Sequence, residues 1–318
     1  MKKRYWQAFV RNTFRTLLWG LRLVPWKPAL VWATAMGSLG YKMSARYRNV
    51  ADRNLKAAYG DQMNERERHA LIKKVFQHFA RTTLVEFLKA PTLTPEQLRK
   101  FVKADSYAYI EELLSRGKGM ILVTAHFGNW ELLARRAALE GYEFAVVARQ
   151  SDDPAFNEIT DKLRENGGYV VHPRGASPKA LLQRLRKGGI IAILPDQKSE
   201  DVFVPFFGRL AGTVAGPAVI ALKTGAPILP MFCIREPDGT YRMELRPEID
   251  ITSTGDTERD SIRIMADLTA VIEDVIRKHP EQWLWMHDRW KVPPPTHLAE
   301  EYAARTRQHD TPSSPIAG

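Results

Sequence analysis

The spacing of apolar positions along this chain changes near residue 118, and the change separates two kinds of structure. Beyond it come the short apolar runs "GMILVTA" at 119–125, "FAVVAR" at 144–149, "YVV" at 169–171 and "IIAILPD" at 190–196. Between them lie stretches with helical spacing, "NWELLARRAALEG", "PAFNEITDKLRENG" and "SPKALLQRLRKGG". A strand buried on both faces needs no polar side, and a parallel neighbour needs a crossover, so this alternation indicates βαβ units. "PILPMFCI" and "TYRMELRP", parted by Pro237-Asp238-Gly239, read as an antiparallel hairpin, and "DSIRIMADLTAVIEDVIRKH" as a long amphipathic helix. The fold class that follows is α/β, a mostly parallel mixed sheet flanked by helices.

Before residue 118 the pattern is helical. Leu71, Val75 and Phe79 share a stripe, and Asn64 with Glu67 has the spacing of a capping box. The chain therefore divides into an α/β domain over 49–303, with a helical subregion at 49–117 and the sheet core at 118–295, and a polar tail at 304–318 expected to be disordered. Residues 1–48 differ from both. "YWQAFVRNTFRTLLWGLRLV" and "PALVWATAMGSLGYKMSARY" combine Trp, Tyr, Phe and Leu with basic residues and no acidic ones. Arg11, Arg15, Arg22 and Lys27 interrupt the apolar stretches, short of the roughly 18 uncharged residues of a spanning helix. No small-residue cleavage site follows. The expectation is an N-terminal helical membrane-associating segment, its apolar face among acyl chains and its basic groups among anionic head groups.

Composition adds one constraint and one direction. With 318 residues and 44% hydrophobic positions the chain can bury a large core, and its single cysteine, Cys233, excludes an internal disulfide and a multi-cysteine metal site, favouring a reducing compartment. The formal charge of +11 and a pI near 9.7 favour polyanionic partners, either nucleic acid or a membrane surface with phosphorylated lipids.

The chemistry concentrates where the first strand ends. In "TAHFGNWELL" at 124–133, His126 and Glu131 lie five apart, about 140° round one continuous helix, so they meet only if the chain bends between them. Gly128 permits a turn, Asn129 can cap a helix, and Glu131 then falls in that helix's first turn, where the dipole favours a carboxylate. At the carboxyl edge of a parallel sheet, where ligands bind, a histidine held by a carboxylate is a general base. No serine or cysteine accompanies the pair as a nucleophile. The proton then comes from a substrate hydroxyl, which points to direct transfer to an alcohol.

Three more strand ends carry polar groups. Arg149 closes "FAVVAR", Arg174 follows "YVVHP", Asp196 and Gln197 follow "IIAILP", and Arg164 sits late in an intervening helix. Arginines gathered at one sheet edge suit a phosphate-bearing ligand, which guanidinium grips bidentately. Asp196 either orients one of them or caps the next turn.

"HFGNWE", "ARQSDDP", "LRENGG", "LPDQ", "VPFFGRLAGTVAGPAVIALKTGAPILP", "PEQWLWMHDRW" and the earlier "NLKAAYG" resemble, in this order, the lipid A biosynthesis acyltransferases of the lauroyl and myristoyl type, within the lysophospholipid-acyltransferase superfamily. The resemblance runs from about residue 5 to 295. It implies that His126 and Glu131 are the His-x4-acidic catalytic pair and that Arg149, Arg164 and Asp196 line the site; the strand-end Arg174 and Gln197 and the turn residues Gly128 and Asn129 stand beside them as further expected substrate contacts. It also implies an acyl thioester donor, on acyl carrier protein or coenzyme A, and a phosphorylated glycolipid acceptor. No metal or redox cofactor is implied, and the expected location is the cytoplasmic face of the bacterial inner membrane. The oxyanion needs donors, and the backbone amides near Gly128 and Asn129, or an arginine, are candidates.

Two other readings belong beside this one. The acceptor can be a different lipid, such as a phosphatidylinositol mannoside, an ornithine lipid or a lysophospholipid. Alternatively the chain is a non-catalytic basic protein that binds membranes or nucleic acid. Trp6, Trp19, Trp26 and Trp32 lie in apolar helical context rather than in a nucleic-acid motif, so no nucleic-acid partner is expected. Trp283 and Trp285 read as core, and Cys233 as inert.

Overall fold

The computed structural model describes residues 23–148, 154–173 and 178–310, together with Thr16, Gly20 and Leu21. The helical first part comprises α1 (Trp26–Met43), α2 (Ala45–Tyr59) and α3 (Glu65–Arg81), which continues into a π-helical turn at Thr82–Glu86 and a last α turn at Phe87–Lys89. The capping box at the start of α3 forms as the spacing requires: the Glu67 amide donates to the Asn64 side chain, and the Asn64 amide to the Glu67 carboxylate. Short helix α4 (Pro95–Phe101), strand β1 (Val102–Ala104) and α5 (Ala108–Ser115) lead into the sheet.

The sheet then grows by βαβ steps through β2 (Met120–Val123), α6 (Trp130–Leu139), β3 (Phe144–Ala148), α7 (Pro154–Glu165), β4 (Tyr169–Pro173), α8 (Pro178–Arg186) and β5 (Ile190–Ile193). A separate antiparallel pair, β6 (Val202–Phe206) and β7 (Arg209–Thr213), precedes α9 (Gly216–Thr224). The hairpin of β8 (Ile228–Arg235) and β9 (Tyr241–Leu245), the long α10 (Thr257–Lys278) and α11 (Thr296–Asp310) complete the order. Seven strands form the main sheet in the order β1-β9-β8-β2-β5-β3-β4, and only the β8–β9 pairing is antiparallel. Central β2 and β5 are buried at every position, as continuous apolar runs in a covered parallel sheet should be.

Helices cover both faces. On one, Leu71, Ile72 and Val75 of α3 and Ile264, Leu268 and Ile272 of α10 join Ile121 and Val123 of β2 in a single core. On the other, Leu132, Leu133 and Ala137 of α6 pack with Ile110 and Leu113 of α5 against Met120 and Leu122. The 49–117 subregion thus shares a core with the sheet. Asn54 of α2 adds a polar tie, donating to the Trp285 and His287 carbonyls at 2.8 and 2.6 Å. The β6–β7 pair was not foreseen, because its strands are partly exposed and carry Pro205 and a central glycine. Helix α11 runs through the first part of the segment expected to be disordered, where Ala304, two arginines and Gln308 favour a helix.

Of the N-terminal membrane-associating segment, the 5–24 stretch lies almost wholly outside the described residues, whereas the 28–47 stretch forms α1 and the start of α2. Among the described residues no helix is long and apolar enough to cross a membrane. Helix α1 crosses α3 at Gly37, where a Cβ would fall 2.6 Å from both the Gln77 Cα and the Phe76 carbonyl oxygen. Backbone cannot yield as a side chain does. Gly37→Ala should therefore part the two helices and destabilise the fold by about 1–3 kcal/mol, read as a lowered denaturation midpoint at unchanged m-value.

Candidate active site

Between β2 and α6 the chain turns at Thr124–Asn129, and three neighbours fix that turn. Phe127 bridges Trp283 in antiparallel fashion, the Leu284 amide donates to the His126 carbonyl at 3.1 Å, and the Gly128 amide donates to the Gln282 carbonyl at 2.9 Å. From the other side the Asn129 amide donates to the Cys233 carbonyl on β8 at 3.0 Å. Gly128 adopts φ +58°, and a Cβ there would lie 1.9 Å from the Cys233 carbonyl oxygen, so glycine is required twice over. The Asn129 side chain caps α6 by accepting from the Leu132 amide at 3.0 Å. The turn and the cap are where the sequence places them.

The pairing of side chains is not as expected. His126 meets Asp196, not Glu131. Strand β5 lies beside β2, and the loop after it brings Asp196 level with the turn: Nδ1 of His126 and Oδ1 of Asp196 are 2.8 Å apart, and Oδ2 accepts from the His126 amide at 2.9 Å. Oδ2 also accepts from the Trp283 indole at 2.9 Å. A carboxylate only accepts, so Nδ1 carries the proton and the Nε2 lone pair faces outward. Gln197 Nε2 lies 3.3 Å from it. Burial alone would raise the Asp196 pKa; the His126 ring and amide and the Trp283 indole outweigh it and hold the carboxyl below its ordinary value.

Glu131 faces another way. Its carboxylate accepts from Arg164 through Nε and through a second guanidinium nitrogen at 2.6 Å, and from the Tyr169 hydroxyl at 2.6 Å. The physical reason is competition: a fixed guanidinium and a phenol at the ends of α7 and β4 offer this carboxylate more than a neutral imidazole does. Arg164 is committed to Glu131: burial works against the charged guanidinium, but the hydrogen bonds to Glu131 and its charge outweigh it, and the Arg164 pKa rises. Arg149 and Arg174 lie outside the described residues. The amides of Gly128 and Asn129, expected as oxyanion donors, are both engaged by carbonyls, which leaves the Gln197 side-chain amide as the donor beside Nε2.

Several residues that sequence reasoning passed over support this turn. Glu86, in the π-helical turn and fully buried, accepts from Asn129 Nδ2 at 2.9 Å and from the Tyr241 hydroxyl at 2.5 Å, and is ion-paired with Arg235. A carboxylate seven residues after Phe79 on the apolar stripe of α3 was the available signal, since charged residues are almost never buried unpaired. His78 on the same helix donates from Nε2 to the Gly128 carbonyl at 2.9 Å. His287, given no role from the sequence, accepts from the Lys198 amide at 3.1 Å and so holds the chain just beyond Gln197. Trp283 and Trp285 are buried and edge-on to each other, as a core reading requires, and the Cys233 thiol is buried.

A profile of the bacterial lipid A biosynthesis acyltransferase family matches residues 2–292. The chain belongs to that family. It is similar to the lipid A biosynthesis lauroyltransferase of Escherichia coli K12, with 26% identity over 298 residues, 92% of this chain and 93% of that one. It is similar to the palmitoleoyltransferase of the same organism, at 25% over 305 residues with the same coverage of each. A phosphatidylinositol mannoside acyltransferase of Mycolicibacterium smegmatis shares 28% identity over 211 residues, 64% of this chain and 67% of that one. As a family member this acyltransferase is an enzyme whose relatives act on lipid acceptors.

Burial, reinforced by the Arg235 charge and only partly opposed by the Gly128 carbonyl, lowers the His78 pKa to about 3. The unfolded chain binds a proton near pH 6.5 and the native state does not, so stability is full above that value and declines as pH falls toward about 3. Between pH 7 and 5 the loss from this residue is about 2 kcal/mol. His78→Gln should flatten the pH dependence of unfolding by that amount, measured in denaturant at the two pH values.

Proposed function

We propose that this enzyme moves a fatty acyl chain from an acyl thioester, carried on acyl carrier protein, to a hydroxyl of a phosphorylated lipid A precursor, with His126 as general base and Asp196 as the carboxylate that orients it. The observation that carries this reading is the His126–Asp196 hydrogen bond, which turns the Nε2 lone pair outward at the carboxyl edge of the sheet. The acceptor hydroxyl takes the place of Gln197 at Nε2. His126 removes its proton as the oxygen attacks the thioester carbonyl, and the imidazolium that results is stabilised by the Asp196 carboxylate. The tetrahedral intermediate carries its charge on the former carbonyl oxygen, to which the Gln197 amide donates. Collapse breaks the carbon–sulfur bond, and Nε2 returns the proton to the departing thiolate. The products are an ester and a free thiol.

Glu131 acts at one remove in this scheme. By gripping Arg164 and Tyr169 it joins the first turn of α6 to α7 and β4.

The site works at the cytoplasmic face of the inner membrane in this reading. Trp32, Leu39 and Met43 of α1 are exposed, with Lys27, Lys42 and Arg46 close by in the chain, the composition of an interfacial helix on an anionic surface. The net charge of +11 suits an acidic carrier protein as well.

In transfer assays with purified acyl carrier protein thioester and lipid A precursor, His126→Ala should reduce kcat by at least about a thousandfold and Asp196→Asn by at least about a hundredfold, since general-base catalysis and its orientation contribute at that scale. Glu131→Gln should act on the KM for the acceptor more than either does. Full activity in Asp196→Asn alongside complete loss in Glu131→Gln would reverse the assignment. A phosphatidylinositol mannoside accepted in place of the lipid A precursor would replace the substrate and leave the mechanism.

A further inference from the structure

Next to the Thr124–Asn129 turn, which His78 touches through the Gly128 carbonyl, lies a cavity of about 860 Å³ between α1, the end of α3, the β8–β9 hairpin and the segment after α10. One wall is apolar, formed by Leu30, Val31 and Ala35, and the floor carries His78, Arg81 and Arg235. The two guanidinium groups are close enough for Arg235 to push the Arg81 pKa down, after burial, the larger cause. Arg235 has Glu86 as its counter-ion. Arg81 has none: among the described residues no carboxylate is ion-paired with it, and its Nε lies buried without a partner. Of the acidic residues on the wall, Glu236 is held by Arg242, and Asp238 by Thr240 and Lys103. Glu281 bonds the Gln282 side chain, and its charge only partly offsets the effect of Arg235 on Arg81.

His78, whose Nε2–H donates to the Gly128 carbonyl at 2.9 Å, ties this floor to the turn. The floor therefore offers guanidinium donors for an anion, while the wall offers α1 for an acyl chain.

We propose that this cavity is a second lipid site, distinct from the catalytic one: it takes the phosphate monoester of a lipid headgroup against Arg81 and Arg235, with the acyl chain along Leu30, Val31 and Ala35. A monoester suits the floor better than a choline-capped diester, because its ionisable oxygen can carry a second negative charge against the guanidinium groups and it brings no cation of its own. The site touches the catalytic turn through His78 and through the Arg235–Glu86–Asn129 chain, yet its occupancy does not depend on the assignment of the base.

The test is titration of the whole protein by calorimetry with dihexanoyl phosphatidate below its critical micelle concentration, with dihexanoyl phosphatidylcholine and inorganic phosphate as comparison arms. The phosphatidate should bind at least tenfold more tightly than either, phosphatidylcholine lacking the ionisable oxygen and inorganic phosphate lacking the chain. Arg81→Gln should weaken phosphatidate at least tenfold. Val31→Asp, at an exposed position that folding tolerates, should weaken phosphatidate and leave inorganic phosphate unchanged, whereas Gln197→Ala, on the catalytic side, should leave both unchanged. Equal binding of phosphatidate and phosphatidylcholine, or of phosphatidate and inorganic phosphate, would overturn the proposal. So would binding lost in Gln197→Ala but kept in Arg81→Gln, which would place the ligand at the catalytic centre.

Discussion

A buried carboxylate has to be saturated with donors, and the candidate active site is arranged round that requirement at Asp196. Its side chain is 2% exposed and receives three hydrogen bonds, from the His126 ring, the His126 amide and the Trp283 indole. Each donor belongs to a different constraint. The ring nitrogen fixes the tautomer, the amide fixes the end of β2, and the indole fixes the 280–287 segment. Removing one donor would leave charge in a medium that does not solvate it, so the three elements hold their relative places through a single residue. The outward lone pair on Nε2 is a by-product of that saturation.

Behind the turn the same logic is repeated at Glu86. The π-helical turn that ends α3 inserts an extra residue into the helical register, and such turns recur at functional sites because they re-aim a side chain without ending the helix. Here the side chain re-aimed is a carboxylate, placed where Asn129, Tyr241 and Arg235 converge. Asn129 is thereby gripped at both ends of its amide, one end capping α6 and the other donating to Glu86. A cap held so firmly keeps the start of α6, and Glu131 with it, in a fixed place.

How much of this can be seen in the chain alone depends on sequence distance. The strands β2 and β5, the turn at Gly128 and the cap at Asn129 are local: each follows from residues within about five positions and from backbone geometry, and each stands where the pattern puts it. The His126–Asp196 bond spans 70 positions and the Glu86–Tyr241 bond 155. No periodicity encodes which of two strand-end carboxylates a histidine will choose; that depends on strand order, here β2 beside β5, and on what else competes for Glu131. The short spacing of His126 and Glu131 suggested contact. The chain bends there as expected, but the bend sends the two side chains to different partners. The family resemblance names His126 and Glu131 as a pair, whereas the hydrogen bonds of this fold join His126 to Asp196 and Glu131 to Arg164 and Tyr169.

The close approach at Gly128 also bears on how this sequence can vary. The atom that a side chain would strike is a main-chain oxygen of a central strand, held in register on both sides by its neighbours. Most damaging replacements in a protein can be repaired by trimming whatever side chain they collide with, but no codon change trims a peptide carbonyl. A genetic screen for suppressors of any replacement at 128 should therefore return only true revertants, making this position a dead end for mutational drift even where the residues around it are free to exchange.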